Sequence, residues 1–349
     1  MRIGLIARAE ATGLSILTNE FWRHMKPAKT LIVDMTKRGG GPSTIDLNLY
    51  AGDPNVTVMD NSPYPDRAVN RNPVIDAWLD DLDVVFTAET PYDYYLFAAA
   101  RERGIKTVLQ PMFEFLEYFV DDTLPMPDLF AMPSPWRYDE VPFANKMLLP
   151  VPVARDRLPF RRRTEANVFF HNCGNQTMRD RNGTMLFMEA MRRIPKQYAI
   201  KAIIHSNKRL QNPVPQRIMV DMRVKPHYWL NYRDRFDVAI MPRKYAGLCL
   251  PLNEASSCGI PTIMSDTSPQ NLFLPPEALM PCVKAGELTT RTLIDVMEVP
   301  VSAIVEKIVE LHTNPALVAD LSDKANEYAE SISWGKLQPV YEEVLGSLL

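Results

Sequence analysis

The sequence predicts two open α/β domains, each with a mostly parallel sheet, and three observations lead there. Short apolar runs alternate with helically spaced segments through the first part of the chain; the alternation breaks off in a stretch dense in proline and arginine; and it then starts again. A chain of 349 residues, 46% hydrophobic and 23% charged, has material for two cores and a composition far from that of a disordered protein.

Taken in order, strands are expected at 2–7 (RIGLIA), 29–35 (KTLIVDM), 83–88 (DVVFTA), 106–110 (KTVLQ) and 129–134 (LFAMPS). Continuous apolar runs of this length suit strands covered on both faces. Between them, TGLSILTNEFWRHM and YDYYLFAAARERG have helical spacing, the second ending in Arg103 and Gly104, a basic last turn followed by a stop. The segment KMLLPVPVARDRLPFRRRTEA has no helical pattern and reads as a linker, with Arg161, Arg162 and Arg163 as a solvated cluster. Strands then recur in NVFFHNCG, AIKAIIHS, RFDVAIMP and PTIMSD, with a helix in GTMLFMEAMRRIP. From about Pro300 the chain is helical, and Asn314 and Pro315 separate the first two amphipathic stretches. The expected division is 1–155 for an amino-terminal Rossmann-like domain, 156–330 for a second, and 331–349 for a helix that packs back on the first. Both domains are expected to be doubly wound and to face each other across a cleft.

Composition narrows the function. A net charge of −3 lacks the basic footprint of a nucleic-acid binder. The cysteines Cys173, Cys249, Cys258 and Cys282 have no CxxC spacing, so neither a zinc site nor a disulfide framework is expected, and a reduced, cytoplasmic setting fits. No run reaches the roughly 18 apolar residues of a membrane span, and no integral membrane segment is expected. A dinucleotide-dependent oxidoreductase would need G-x-G-x-x-G after a strand, which neither GLIARAEATG nor FFHNCGNQT supplies.

The stretch AGLCLPLNEASSCGIPTIMSD, 246–266, holds the most chemistry. It reads as a glycine loop after a strand, then a helix from Pro251 to Cys258, stopped by Gly259 and Pro261. Unpaired N–H groups at such a helix mouth favour a phosphate-sized anion. Glu254, expected in the first turn, either complements the helix dipole or accepts two adjacent sugar hydroxyls.

Gly247, Leu250, Pro251, Glu254, Ala255, Gly259 and Pro261 fall in register with the donor-binding signature of glycosyltransferase family 4, and this run resembles that of retaining enzymes with the GT-B fold. In element order the resemblance spans nearly the whole chain. It implies that a nucleotide sugar donates a hexosyl group to an acceptor hydroxyl without a metal, that the amides of Gly247, Leu248, Cys249 and Leu250 hold the diphosphate, and that Glu254 holds the ribose. No cofactor is implied beyond the nucleotide-sugar co-substrate.

Two departures from that family stand out. Ala246 replaces its other glutamate, which leaves a catalytically silent nucleotide-sugar binder as the competing reading. The family's arginine and lysine are not at their usual spacing either, and Arg179, Arg181, Arg243 and Lys244 are the available cations, with Arg181 the first choice because it directly precedes the Asn182–Gly183 helix start.

In the first domain, Glu114 is either an orienting or deprotonating group for the acceptor or a surface charge on an aromatic turn, with Glu89 a weaker candidate of the same kind. Gly13 either lets the backbone approach the donor or forms a plain turn. The Asp81-x-Asp83 pair reads as a solvated turn, and His171 and His205 as structural histidines. The acceptor is open: a sugar, a lipid carrier, a protein side chain or a modified DNA base.

Overall fold

The computed structural model describes all residues except 11, 38–43, 62–68, 175–179, 207–208, 211, 223–232 and 246. Ala246, Arg179 and the triglycine at 39–41 lie outside the described residues. The chain divides into a first unit of Met1–Pro152, Thr290–Thr292 and Trp334–Leu349, and a second of Val153–Thr289 and Leu293–Ser333.

The first unit is built on seven strands: β1 (Ile3–Ala7), β2 (Lys29–Asp34), β3 (Val56–Asp60), β4 (Val84–Ala88), β5 (Lys106–Gln110), β6 (Leu129–Met132) and β7 (Lys146–Leu148). They form one parallel sheet in the order β3-β2-β1-β4-β5-β6-β7. Every residue of β1 and β4 is buried, as their unbroken apolar sequences require. Helix α1 (Gly13–Met25) starts at Thr12, whose side chain accepts from the Ser15 N–H, and ends with Arg23 and His24 in its last turn, where cations suit the dipole. Helices α2 (Pro73–Leu79) and α3 (Tyr95–Glu102) cover the sheet over a core that includes Leu31, Val85, Phe97 and Phe130.

The second unit repeats the plan. Its strands are β8 (Val168–Gly174), β9 (Lys201–Ser206), β10 (Ile218–Asp221), β11 (Val238–Met241), β12 (Thr262–Ser265) and β13 (Leu279–Met280). They too are parallel, in the order β10-β9-β8-β11-β12-β13. An antiparallel hairpin, β14 (Val283–Thr289) with β15 (Leu293–Glu298), follows. Helices α4 (Thr184–Arg193), α5 (Leu250–Ser257), α6 (Val301–Thr313) and α7 (Pro315–Ser331) belong to this unit among the described residues, and Asn314 caps α7 by accepting from the Leu317 N–H. Each sheet therefore reverses its strand order once, between β1 and β4 in the first unit and between β8 and β11 in the second. Doubly wound sheets place ligands beyond the carboxyl ends of the strands at such a point.

The last helix, α8 (Trp334–Gly346), belongs to the first unit. Trp334 stacks on His24 with ring centroids 4.6 Å apart, and the buried Tyr341 hydroxyl donates to the Pro150 carbonyl at 3.0 Å while the Gln110 amide donates to it at 2.9 Å. No helix among the described residues is long and apolar enough to cross a membrane.

The arginine cluster is solvated at Arg161 and Arg162, as the sequence suggests, but not at Arg163. Arg161 and Arg162 pair with Asp234 and Asp323, and Arg163 is buried, its N–H donating to Ser322 Oγ at 2.9 Å. The stretch runs over the second unit's own surface beside Gly259. That glycine has φ +70, and a Cβ there would lie 2.4 Å from the Arg161 carbonyl oxygen and 2.7 Å from the Phe160 ring. Gly259→Ala is expected to lower the unfolding free energy by at least ~2 kcal/mol, the cost of a left-handed alanine plus the overlap, as read from denaturant midpoints.

Candidate functional site

In the second unit the two loops at the strand-order reversal are held together by backbone. Gly183 stands at φ +70 directly before α4, and a Cβ there would come within 2.1 Å of the Pro242 carbonyl oxygen. The Lys244 N–H donates to the Arg181 carbonyl at 2.8 Å, and Arg181 Nε donates to the Tyr245 carbonyl at 3.2 Å, with its guanidinium 5.4 Å from the Tyr245 ring centre. Asn182 ties the same turn to β8 through the Cys173 carbonyl at 2.8 Å.

Two helices open at this edge, and they differ. At the start of α4 the Asp180 carboxylate accepts from the Thr184 and Met185 N–H groups at 2.8 and 3.0 Å, so that mouth already holds an anion from the chain itself. Burial pushes the Asp180 pKa up, against the pull of those amides and of Lys244. At the start of α5 no side chain caps the helix. The N–H groups of Gly247, Leu248, Cys249 and Leu250 find no acceptor among the described residues, although Gly247 and Cys249 are buried. Buried amides left without partners mark a place where a ligand supplies them.

Glu254 is buried, but the helix starts one residue earlier than the sequence suggests. The Leu252 N–H bonds back to the Cys249 carbonyl at 2.9 Å, which makes Leu250 the first helical residue and moves Glu254 out of the first turn. Dipole compensation therefore explains little of this carboxylate, because that effect fades beyond the first turn. The helix itself is well anchored: Ser257 Oγ donates to the Leu158 carbonyl at 2.6 Å, and the Tyr328 hydroxyl donates to Asn253 Oδ1 at 3.0 Å.

Of the candidate cations, Lys244 pairs with Glu298 at 3.2 Å. Arg243 is 8% exposed; its Nε is buried, and its side chain has no hydrogen-bond or ion-pair partner among the described residues.

In the first unit Gly13 is an exposed first residue of α1. Glu114 is buried in a one-turn 3-10 helix, Phe113–Phe115, and its carbonyl accepts from the Arg291 N–H at 3.0 Å. Glu89 adopts φ 64 just beyond β4. Asp83 lies at the amino end of β4, away from the edge where ligands collect, and its carboxylate accepts from the Arg2 N–H at 2.5 Å.

Sequence reading passed over a buried ion pair in the first unit. Arg8 and Glu10, in the loop after β1, form a buried two-pronged ion pair with N–O distances of 2.6, 2.9 and 3.0 Å. Arg8 also lies over the Tyr92 ring at 4.9 Å, and Tyr92 has φ 63. The available signal was two opposite charges two residues apart directly after an all-apolar strand.

No protein-family model matches the sequence, and no curated protein matches it. Solved structures do. Sucrose-phosphate synthase from Thermosynechococcus elongatus superposes with a TM-score of 0.70 at 13% identity, over 99% of this chain and 100% of that one. Anabaena HepE in complex with UDP and glucose gives 0.73 at 10% identity, with coverages of 99% and 100%. The lipopolysaccharide outer core galactosyltransferase WaaB gives 0.62 at 13%, with full coverage of both chains.

The fold is GT-B. At the level of fold, the expectation drawn from the 247–261 signature is borne out.

Within the second unit of this GT-B chain, His171 is a packing residue. It is fully buried on β8, Nδ1 is 2.9 Å from the Ile240 carbonyl and Nε2 is 2.9 Å from Thr184 Oγ1, and the ring stacks on Phe187. Burial lowers its pKa from 6.5 to about 4. His205, at the end of β9, faces Asn172 Oδ1 at 3.4 Å.

The His171 shift has a sign that can be measured. The unfolded chain binds this proton more readily, so the stability due to the neutral ring is present above pH 6.5 and is lost as pH falls towards 4. Between pH 7 and pH 5 the wild type is expected to lose about 2 kcal/mol more than His171→Asn, which chemical unfolding at the two pH values would read out.

Proposed function

We propose that this chain is a glycosyltransferase that moves a hexosyl group from a nucleoside diphosphate sugar to an acceptor hydroxyl. The observation that carries the reading is the uncapped mouth of α5, where the N–H groups of Gly247, Leu248, Cys249 and Leu250 have no acceptor among the described residues. Amides in a row at a helix start suit a diphosphate. Further support comes from the GT-B fold shared with a sucrose-phosphate synthase, with a galactosyltransferase and with HepE, the last solved with UDP and with UDP-glucose.

The chemistry follows from charge. Breaking the bond from the anomeric carbon to the diphosphate oxygen leaves positive charge on the sugar and negative charge on the leaving group, and stabilising the latter is the larger task. The α5 amides and dipole meet that charge, with Arg181 and Lys244 adding positive charge from the neighbouring turns, so the reaction needs no divalent ion. Glu254 accepts from the ribose hydroxyls. On the first unit Glu114 orients or deprotonates the acceptor, and Gly13 lets the backbone near the donor. Retention of configuration follows the resemblance to family 4. Ala246 in the loop favours one rival, a silent binder that takes the donor and transfers nothing.

Thermal melts against a panel of nucleoside diphosphates and their sugars test the site, since a ligand that binds only the native state raises its melting temperature. The best compound should lose roughly ten- to hundredfold in affinity in Glu254→Ala, the worth of hydrogen bonds to a charged group; unchanged affinity removes Glu254 from the site. With donor and candidate acceptors present, release of nucleoside diphosphate at a rate insensitive to a chelator is expected, whereas binding without release would identify the silent binder.

A further inference from the structure

We infer that Arg243 is a further cation at the donor's diphosphate, and that it is the one that discriminates a nucleoside diphosphate from the corresponding monophosphate. This rests on the nucleotide-sugar reading above and adds to it a residue and a selectivity.

A buried guanidinium is costly unless something pairs with it. Many of the described arginines are paired: Arg8 with Glu10, Arg155 with Asn326 and Glu330, Arg162 with Asp323, Arg193 with Glu189. Arg243 is 8% exposed, its Nε is buried, and no described residue accepts from it. Its backbone is pinned, the N–H donating to the Met241 carbonyl at 2.7 Å and the carbonyl accepting from Ser265 Oγ at 2.7 Å.

Location supplies a second, independent observation. Arg243 lies in the loop between β11 and α5, the same loop whose Gly247–Leu250 amides have no acceptor among the described residues. Unmatched donors and an unmatched positive charge in one short segment call for an anion from outside. The chain has not used its own carboxylates here, as it has with Asp180 at the start of α4. Among the described residues, the other two candidate cations already have partners: Lys244 pairs with Glu298, and Arg181 donates through Nε to the Tyr245 carbonyl. A planar guanidinium with several donors also suits a two-phosphate group better than a single ammonium does.

The test uses the full chain, a panel of nucleoside 5′-diphosphates and the matching monophosphates, and the variants Arg243→Gln and Arg243→Lys. The expected wild-type result is a diphosphate bound more tightly than its monophosphate. In Arg243→Gln that ratio should collapse towards one, through a loss of ten- to hundredfold in diphosphate affinity, while Arg243→Lys restores part of it. The ligand-free melting temperature of Arg243→Gln should hold or rise, because an unpaired buried charge has been removed; a fall with the ratio intact would mark Arg243 as structural and overturn the inference. If the wild type binds diphosphates, Glu254→Ala weakens them and Arg243→Gln leaves the ratio unchanged, this inference alone fails. If no nucleotide binds at all, the functional reading fails and takes the inference with it.

Discussion

The close approach of two backbones in the second unit underlies everything proposed about the site. Only a residue without a side chain can stand at position 183, because the Pro242 carbonyl occupies the space a Cβ would need. That contact sets the loop after β8 against the loop after β11, and the Lys244–Arg181 backbone bond fixes their register. The two helix mouths that follow share one edge of the sheet as a result. One is closed by Asp180; the other keeps its amides available. Backbone donors held in place before a ligand arrives need no reorganisation when charge develops on it, which is where their catalytic value lies.

Much of the architecture was legible because buried parallel strands are apolar throughout. The runs RIGLIA, TLIVD and DVVFTA pair in the sheet interior, and the helices between them were marked by their period and their stops. What escaped reading lies at the margins. Strands β3, β7, β10 and β13 have two to five residues each and lie at or next to a sheet edge, where one partner and partial exposure leave little hydrophobic signature. The exposed β14–β15 hairpin has even less. Tertiary pairing, not local pattern, decides such segments.

The local structure around the candidate site was legible in kind and wrong in detail. The glycine loop, the helix and its stop at Gly259 were visible from residue types, since few sequences other than a helix end place a glycine and a proline in that order. A one-residue shift at the helix start, produced by the Leu252–Cys249 bond, was not visible, and it changed what the Glu254 carboxylate means. Pairing was equally hidden. Which arginine finds a carboxylate and which does not depends on partners such as Asp323, 161 positions from Arg162, or on the two-residue hop from Arg8 to Glu10, and residue types alone list all of them as equivalent charges.

The last helix has a consequence for how the protein comes into being. Trp334 and Tyr341 lie against Phe21 in the interior of the first unit, and Tyr341 also touches Phe86. These side chains are translated after the entire second unit. A nascent chain leaving the ribosome from its amino end can therefore complete the second unit first, while the first waits, its central aromatic cluster open, until α8 has emerged. Of the two units, the one that is begun earlier is the later to close.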